Sequence, residues 1–306
     1  MPNAAPDRSE TEQDTAPDPQ GLTEARNAVD GRNKSGYVQG MFSDIAPRYD
    51  LLNHVLSMNI DKGWRRKALA RLNWLARPNG TYLDLCAGTL DVGATLSKLR
   101  GFSGFIIGAD FAFPMLKYGS GKASANVLAP VTADAMVLPL GDASLDGAIV
   151  AFGIRNVADL DVSLREVYRV LKPGVRFVIL EFSTPSSRLV RSLYHAYFHY
   201  ALPMVGRLVS GHGSAYTYLP LSVSKFPALQ ALAGRMKQAG FVSVAFETLT
   251  FGIAAIHVGD KPESAASAKW APSATAPSTN TESTNTKSMN AESANAVPDA
   301  AASRHT

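Results

Sequence analysis

Three acids and one arginine stand where apolar stretches of this chain give out. Asp84 lies within TYLDL, just ahead of the small-residue turn Cys86-Ala87-Gly88-Thr89. Asp110 closes GFIIGAD, and Asp134 stands in Ala133-Asp134-Ala135. Arg155 belongs to Ala151-Phe152-Gly153-Ile154-Arg155-Asn156, after a fourth apolar run. A strand, a tight turn around Gly88 and a helix would let a nucleotide-like ligand lie against backbone N–H groups at the helix start. An acid ending the second strand is placed to hydrogen-bond both hydroxyls of a ribose, although Asp is also a common helix N-cap. Asp134, one strand further, can accept from an adenine amine. Arg155, charged and just beyond a buried strand, either faces a site or makes a surface salt bridge.

The turn argues for one kind of ligand over another. A dinucleotide needs close backbone approach to its pyrophosphate, hence G-x-G-x-x-G. Here one glycine is present, Leu90 stands where such loops usually keep another, and Asp91 follows with a charge that would repel phosphate. S-adenosylmethionine has no phosphate and carries a sulfonium and an ammonium. A turn flanked by Asp84 and Asp91 suits that cation better.

These residues need an alternating scaffold. Apolar runs at 81–86, 104–109, 127–132, 145–151 and 175–182 predict strands, and 91–100, 113–123 and 159–172 predict helices between them. Lys172-Pro173-Gly174 should end the last of these helices. Such alternation builds a parallel sheet with helices on both faces. The runs 242–249 and 252–258 follow each other closely and predict an antiparallel final hairpin. The expected fold is α/β, a seven-stranded, mostly parallel sheet that resembles the Rossmann-like architecture of class I methyltransferases. A helical N-terminal cap and a helical insertion are expected around it.

Composition bounds the rest. The chain has 306 residues, 46% of them hydrophobic and 18% charged, with a net charge of +4 and one cysteine, Cys86. One cysteine allows no intrachain disulfide and no multi-cysteine zinc site. The small positive excess gives no clustered footprint for nucleic acid. No apolar run reaches the roughly 20 residues of a transmembrane helix, and the acidic N-terminus has no apolar signal core. Residues 1–35 and 261–306 are polar and without periodicity, so both are expected to be disordered tails around a domain at 36–260.

Several longer blocks carry a family resemblance. They are MFSDIAPRYDLLNHVLSM (Met41 to Met58), IDKGWRR (Ile60 to Arg66), LDLCAGT, FGIRNV (Phe152 to Val157), RVLKPG (Arg169 to Gly174) and LEFSTP (Leu180 to Pro185). AYTYLPLSVSKFP (Ala215 to Pro227) and AGF (Ala239 to Phe241) complete the set. From Met41 to Gly259 the chain resembles the quinol C-methyltransferases of menaquinone and ubiquinone biosynthesis, the demethylmenaquinone methyltransferase and 2-polyprenyl-6-methoxy-1,4-benzoquinol methylase family. The turn is common to many methyltransferases; the FSDIAPRYDLLN and FGIRNV blocks together are specific.

The resemblance implies methyl transfer from S-adenosylmethionine to a ring carbon of a polyprenylated quinol. It implies donor contacts from Thr89, Asp110, Asp134 and Ala135, beside the Asp84 and Gly88 turn, with Ala151 where the family has a serine. The ring carbon becomes nucleophilic when a neighbouring hydroxyl, of phenol-like pKa about 10, loses its proton. Arg155 would stabilise that oxyanion, Asn156 would orient the ring or a water, and a bound water or Asp50 would act as base. Tyr49 would complete the quinol pocket or simply pack the N-terminal helices. The insertion 186–223, with Leu189, Val190, Tyr194, Tyr197 and Phe198 among Arg188, Arg191 and Arg207, would hold the prenyl tail and rest on an anionic membrane, or pack on the core. Lys62, Arg65, Arg66, Lys67 and Arg71 would make a membrane-facing basic strip or a solvated helix face. His195 and His199 have metal-ligand spacing but no third ligand, so no metal is expected. The implied location is cytoplasmic, peripheral on the inner face of the membrane, with a homodimer or a quinone-biosynthesis complex open as assemblies. Leu90, Ala151 and Leu221, which replaces a glutamate, depart from the family pattern. They motivate a second reading, a weakly active or inactive paralogue serving as a binding or scaffold subunit.

Overall fold

Period-two alternation in the apolar runs sets which face each strand residue meets. A computed structural model describes residues 19–31, 33–50, 57, 59–185, 187–196 and 214–263. Within them the strands are β1 (Thr81–Leu85), β2 (Phe105–Asp110), β3 (Leu128–Thr132), β4 (Gly147–Ala151), β5 (Arg176–Phe182), β6 (Val242–Leu249) and β7 (Ala254–Asp260). Among the described residues they form one sheet in the order β3-β2-β1-β4-β5-β7-β6. The first five strands are parallel; β7 runs antiparallel to both β5 and β6. The order reverses beside β1, where β2 lies on one side and β4 on the other, the place where open α/β sheets bind ligands. Pro130, which cannot donate to a ladder, sits on edge strand β3.

Helices cover both faces. Tyr82, Ile106, Ile149, Val178 and Ile256 point toward α3 (Ile60–Arg71) and α4 (Asp91–Ser97), where Trp64, Leu69, Val92 and Leu96 meet them. Leu83, Leu85, Ala148, Val150, Phe177 and Ile179 point the other way, toward Leu164, Val167 and Met236. Those residues lie on α6 (Leu160–Val170) and α9 (Leu229–Gln238); α5 (Phe113–Gly119), α7 (Arg188–Ala196) and α8 (Ser214–Lys225) complete the helices used below. The predicted strands and the three helices of the alternating segment are all present, with helix ends shortened by a few residues.

The expected disorder of residues 1–35 is corrected over its second half. Helix α1 (Pro19–Val29) and helix α2 (Lys34–Ile45) form a cap. Ala25, Ala28, Val38, Met41 and Ile45 bury one face of that cap against Tyr218 of α8. The apolar face of α1 is built from alanines, so a composition rich in polar residues concealed it. The insertion 186–223 is described only at 187–196 and 214–223, and the expectations placed on Tyr197, Phe198, His199 and Arg207 lie outside the described residues, as do those on the side chains of Tyr194 and His195.

Helix α6 shows how local chemistry starts an element. Asp159 stands at its N-cap in extended conformation, and its Oδ1 accepts from the N–H groups of Asp161 at 2.9 Å and Val162 at 3.0 Å. Two of the four unpaired donors of the first turn are thereby satisfied. The buried stripe Leu164, Val167 and Val170 then holds the helix on the sheet. Asp159→Ala should lower unfolding free energy by about 1 kcal/mol, read as a shift of the denaturant midpoint with unchanged slope. An unchanged midpoint would show that the cap contributes nothing.

Candidate functional site

The turn after β1 is built around glycine and two residues that accept strain. Cys86, Gly88 and Leu90 all have positive φ, at 52°, 53° and 65°. Phe152, directly after β4, is at 62°. Left-handed backbone costs an L-residue about 1–2 kcal/mol, and here the cost falls at the carboxyl ends of the two central strands. Such strain persists only where the surroundings over-determine it.

Buried carboxylates do that work. Asp84 is 2% exposed, and its Oδ2 accepts the N–H of Gly93 in α4 at 2.8 Å. Burial pushes its pKa up to about 8, against the opposing Gly93 hydrogen bond and the Arg65 charge. Asp84 therefore staples the turn to its own helix and does not line the cleft. Asp110 reaches across from β2: its Oδ2 accepts the Gly88 N–H and its Oδ1 the Ala112 N–H, both at 2.8 Å. Burial raises its pKa, against those two hydrogen bonds. Each oxygen keeps a lone pair for a further donor, and Asp110 faces the cleft. The N-cap of α5 is Ala112, not Asp110; Asp110 braces the residues ahead of that helix and lines the cleft.

Leu90 departs from the family pattern, and a leucine there would crowd the donor unless the backbone relaxed. Instead its side chain turns into the core, 2% exposed, among Val92, Ile106 and Leu128. Two glycines make the niche: a Cβ on Gly108 would collide with Leu90 Cδ2, and one on Gly119 would stand 2.9 Å from Leu90 Cγ. The left-handed backbone is what aims the side chain away from the cleft. Leu221 likewise packs against the apolar cap cluster. Neither departure touches the ligand space.

That space is a cleft of about 670 Å³, part of it open to solvent, over the carboxyl ends of β1, β2 and β4. Of the residues expected from sequence, Tyr49, Gly88, Asp110, Asp134, Ala135, Ala151 and Asn156 line it. Ser35, Phe42, Phe111, Met115, Phe152 and Val157 line it too and were missed. Phe111 and Phe152 each follow a strand end directly, and that position was the signal available. Tyr49 packs edge-on against Phe42, ring centroids 5.8 Å apart, so it serves the cap and the cleft at once. Asp134 is exposed and accepts the Met136 N–H at 2.8 Å through Oδ1. Asn156 is 7% exposed, and its Oδ1 is buried without a hydrogen-bond partner. An orphaned acceptor of this kind costs about 1–3 kcal/mol, and here it lies on a residue that lines the cleft. Cys86 also lines the cleft; burial and then the nearby Asp110 and Asp84 carboxylates push its thiol up, keeping it neutral.

Five expectations are corrected. Thr89 is 3% exposed, and its hydroxyl donates to Asp50 rather than facing the cleft. Asp50 also takes Lys122 Nζ at 2.5 Å, so it is engaged outside the cleft rather than poised as a base. Asp91 bonds Lys122 at 2.6 Å and Arg65 at 2.8 Å. Burial opposes its charge, yet the Lys122 hydrogen bond and the Arg65 charge hold its carboxyl below the usual range. Its charge is thus neutralised locally, and the contrast with phosphate ligands rests on the single-glycine turn instead. Arg155, fourth, is neither a surface ion pair nor a cleft group: its Nη1 bonds Glu181 at 2.7 Å and the Phe152 carbonyl, with 8% of the side chain exposed. Finally, the basic strip is broken up. Arg65 is buried, Lys67 and Arg71 pair with Glu247, and Lys62 and Arg66 alone of the five are exposed without a recorded ion pair among the described residues.

The residues present fit S-adenosylmethionine: hydroxyl acceptors on Asp110, an exposed carboxylate at Asp134, and apolar walls from Phe111, Met115 and Ala135. No group of three or more His, Cys, Asp or Glu is placed to hold a metal among the described residues.

Comparisons with known proteins agree. The model of the ubiE/COQ5 methyltransferase family matches residues 30–261. The demethylmenaquinone methyltransferase of Thermus thermophilus is 49% identical over 224 residues, 72% of this chain and 100% of that protein. The ubiquinone/menaquinone biosynthesis C-methyltransferase UbiE of Geotalea daltonii is 44% identical over 232 residues, 74% of this chain and 97% of that protein. Among solved structures, a SAM-dependent methyltransferase of Thermotoga maritima gives a TM-score of 0.52 at 18% identity, covering 72% of this chain and 98% of that one. The [4+2]-cyclase SpnF gives 0.55 at 16% identity, covering 74% and 96%. Likeness at that identity shows the fold alone.

Two measurements check the turn. Leu90→Gly should leave S-adenosylmethionine affinity within about threefold while costing about 1–3 kcal/mol of stability, since the lost core side chain outweighs the relieved backbone. A tenfold gain in affinity by calorimetry would show that Leu90 does obstruct the donor. Asp84 offers a pH test. Its folded pKa of about 8 lies above its unfolded value, so the native state binds the extra proton between the two and stability falls as pH rises toward 8. Asp84→Asn cannot ionise; its advantage over the wild type in denaturant midpoint should grow from about pH 5 to about pH 9. A constant difference would mean that Asp84 does not titrate in that range.

Proposed function

The chain belongs to the ubiE/COQ5 methyltransferase family, a class of S-adenosylmethionine-dependent C-methyltransferases of quinone biosynthesis, and on that premise we propose a polyprenylated quinol, demethylmenaquinol first, as its acceptor. The observation that carries this reading is Asn156, whose buried, unpartnered Oδ1 belongs to a residue lining a cleft walled by Tyr49, Phe42 and Phe152. A flat aromatic ring suits those walls, and a ring hydroxyl supplies the hydrogen bond that Asn156 Oδ1 lacks. The relatives' names give the quinone connection: demethylmenaquinone methyltransferase for one and ubiquinone/menaquinone C-methyltransferase for the other.

S-adenosylmethionine supplies an electrophilic methyl group when bound. Asp110 would hold the ribose hydroxyls and Asp134 the adenine amine, with Gly88, Ala135 and Ala151 leaving room beside them. Asn156 would accept a hydrogen bond from a ring hydroxyl that keeps its proton and so hold the ring in place. Orientation of this kind supplies up to several kcal/mol. The proton of the other ring hydroxyl, beside the reacting carbon, would leave to a water in the open cleft, because Asp50 is occupied by Thr89 and Lys122. The Arg155 charge stays behind the turn and acts through it, since its Nη1 is committed to Glu181.

A lipophilic acceptor must be drawn from a membrane. No helix among the described residues is long and apolar enough to cross one. Helix α7 offers peripheral contact on the inner face: Leu189 is 72% exposed, between exposed Arg188 and Arg191 further along. Apolar insertion beside arginines suits an anionic surface.

Transfer of radiolabelled methyl groups from S-adenosylmethionine to demethylmenaquinol, or to the methoxy-benzoquinol, in anionic vesicles tests the reading. The wild type should label a quinol, and Asn156→Ala should lower kcat about 100-fold through lost positioning. Donor binding by calorimetry without labelling of either quinol would overturn the acceptor assignment.

A further inference from the structure

We propose that Glu181 is a positioning residue for methyl transfer, acting through Arg155 to set the turn from Phe152 to Asn156 that walls the cleft. Glu181 stands at the carboxyl end of β5, 2% exposed within an otherwise apolar run. Its Oε1 accepts Arg155 Nη1 at 2.7 Å and the N–H of Phe182 at 2.9 Å, and its Oε2 accepts the Arg155 N–H at 3.4 Å. The same Nη1 donates to the Phe152 carbonyl. The Arg155 guanidinium lies 5.4 Å from the centroid of the Phe182 ring. Lys34 Nζ from the cap closes the set by donating to the Arg155 carbonyl at 2.9 Å.

The turn is therefore held at both backbone ends of Arg155 and at the Phe152 carbonyl. That hold is needed because Phe152 sits at φ 62°, a conformation a bulky residue keeps only when its neighbours enforce it. Its ring is held as well, 4.7 Å from the Phe182 centroid and 6.1 Å from that of Trp64. Two side-chain atoms of the turn remain buried and unpartnered, Arg155 Nε and Asn156 Oδ1. Asn156 is the very next residue after the one Glu181 grips. A shift of the turn by a fraction of an ångström would move the Asn156 acceptor against the acceptor ring, and errors near 1 Å cost on the order of 100-fold in rate.

A buried ion pair gives little net stability compared with apolar residues of the same size. Stability alone therefore does not require this pair, and the two roles can be separated. The inference rests on the reading that the quinol meets Asn156. In Glu181→Gln the amide oxygen can still accept from Nη1, but the Nε2 group faces the Arg155 N–H, donor against donor. Glu181→Gln should lower kcat about 10- to 100-fold, with S-adenosylmethionine affinity by calorimetry and its KM within about threefold of wild type. The double variant Arg155→Met/Glu181→Met should restore the melting temperature to near wild type while kcat stays low. Full activity in Glu181→Gln, or recovery of both melting temperature and kcat in the double variant, overturns the positioning role and leaves the acceptor assignment standing. A wild type that binds donor yet labels no quinol overturns that assignment, and this inference with it.

Discussion

The site depends on carboxylates buried at strand ends, each gripping backbone N–H groups of a turn. Asp84 on β1 holds Gly93 of the helix that follows it. Asp110 on β2 holds Gly88, in the turn of the adjacent strand β1. Glu181 on β5 holds Arg155, in the turn of the adjacent strand β4. Two of the three bonds thus cross from one strand to its parallel neighbour. Parallel strands bring successive turns to one end of the sheet, and an acid there can brace a turn that is distant in sequence. The braced turns contain the left-handed residues Cys86, Leu90 and Phe152, which place backbone against the ligand space.

Burying these acids is unfavourable for their charged forms. Burial raises the pKa of Asp84, Asp110 and Glu181 alike. The opposing stabilisation differs in each case: the Gly93 N–H for Asp84, two N–H groups for Asp110, and the Arg155 charge for Glu181. Hydrogen bonds from backbone donors favour the charged carboxylate locally, and a cationic donor molecule in the cleft favours it further. Of the three, Asp110 alone lines the cleft; Asp84 and Glu181 hold the turns from behind. The charge of Asp91 is spent on Arg65 and Lys122, so what disfavours a pyrophosphate is the single-glycine turn.

How much could be read in advance follows from the range of each interaction. Strands, helices and the final antiparallel pair were legible because period and capping are local. Tyr49, Asp110, Asp134 and Asn156 line the cleft and could be picked out because strand ends and turns carry their own residue types. What failed was long-range. The direction of Leu90 is decided by Gly108 and Gly119, and no periodicity links those positions. Arg155 finds its partner 26 residues on, and Asp50 finds Lys122 72 residues on. Glu181 carried the same mark as Asp84, one acid inside an apolar run, yet its significance appears only when β4 and β5 lie side by side. Helix α1 was hidden for a different reason: alanines bury well but raise hydrophobicity little.

The fold itself leaves the chemistry open, as the likeness to a [4+2]-cyclase illustrates. What this chain adds to the sheet at the cleft is the helical cap. The cap brings Tyr49 and Phe42 over the cleft and is joined to the donor turn through Asp50, which takes Thr89 and Lys122, with Asp91 and Arg65 completing the chain of charges. The same cap reaches the turn from Phe152 to Asn156 through Lys34. One small layer of helix therefore touches both turns that line the cleft, so a shift of the cap would disturb contacts to each.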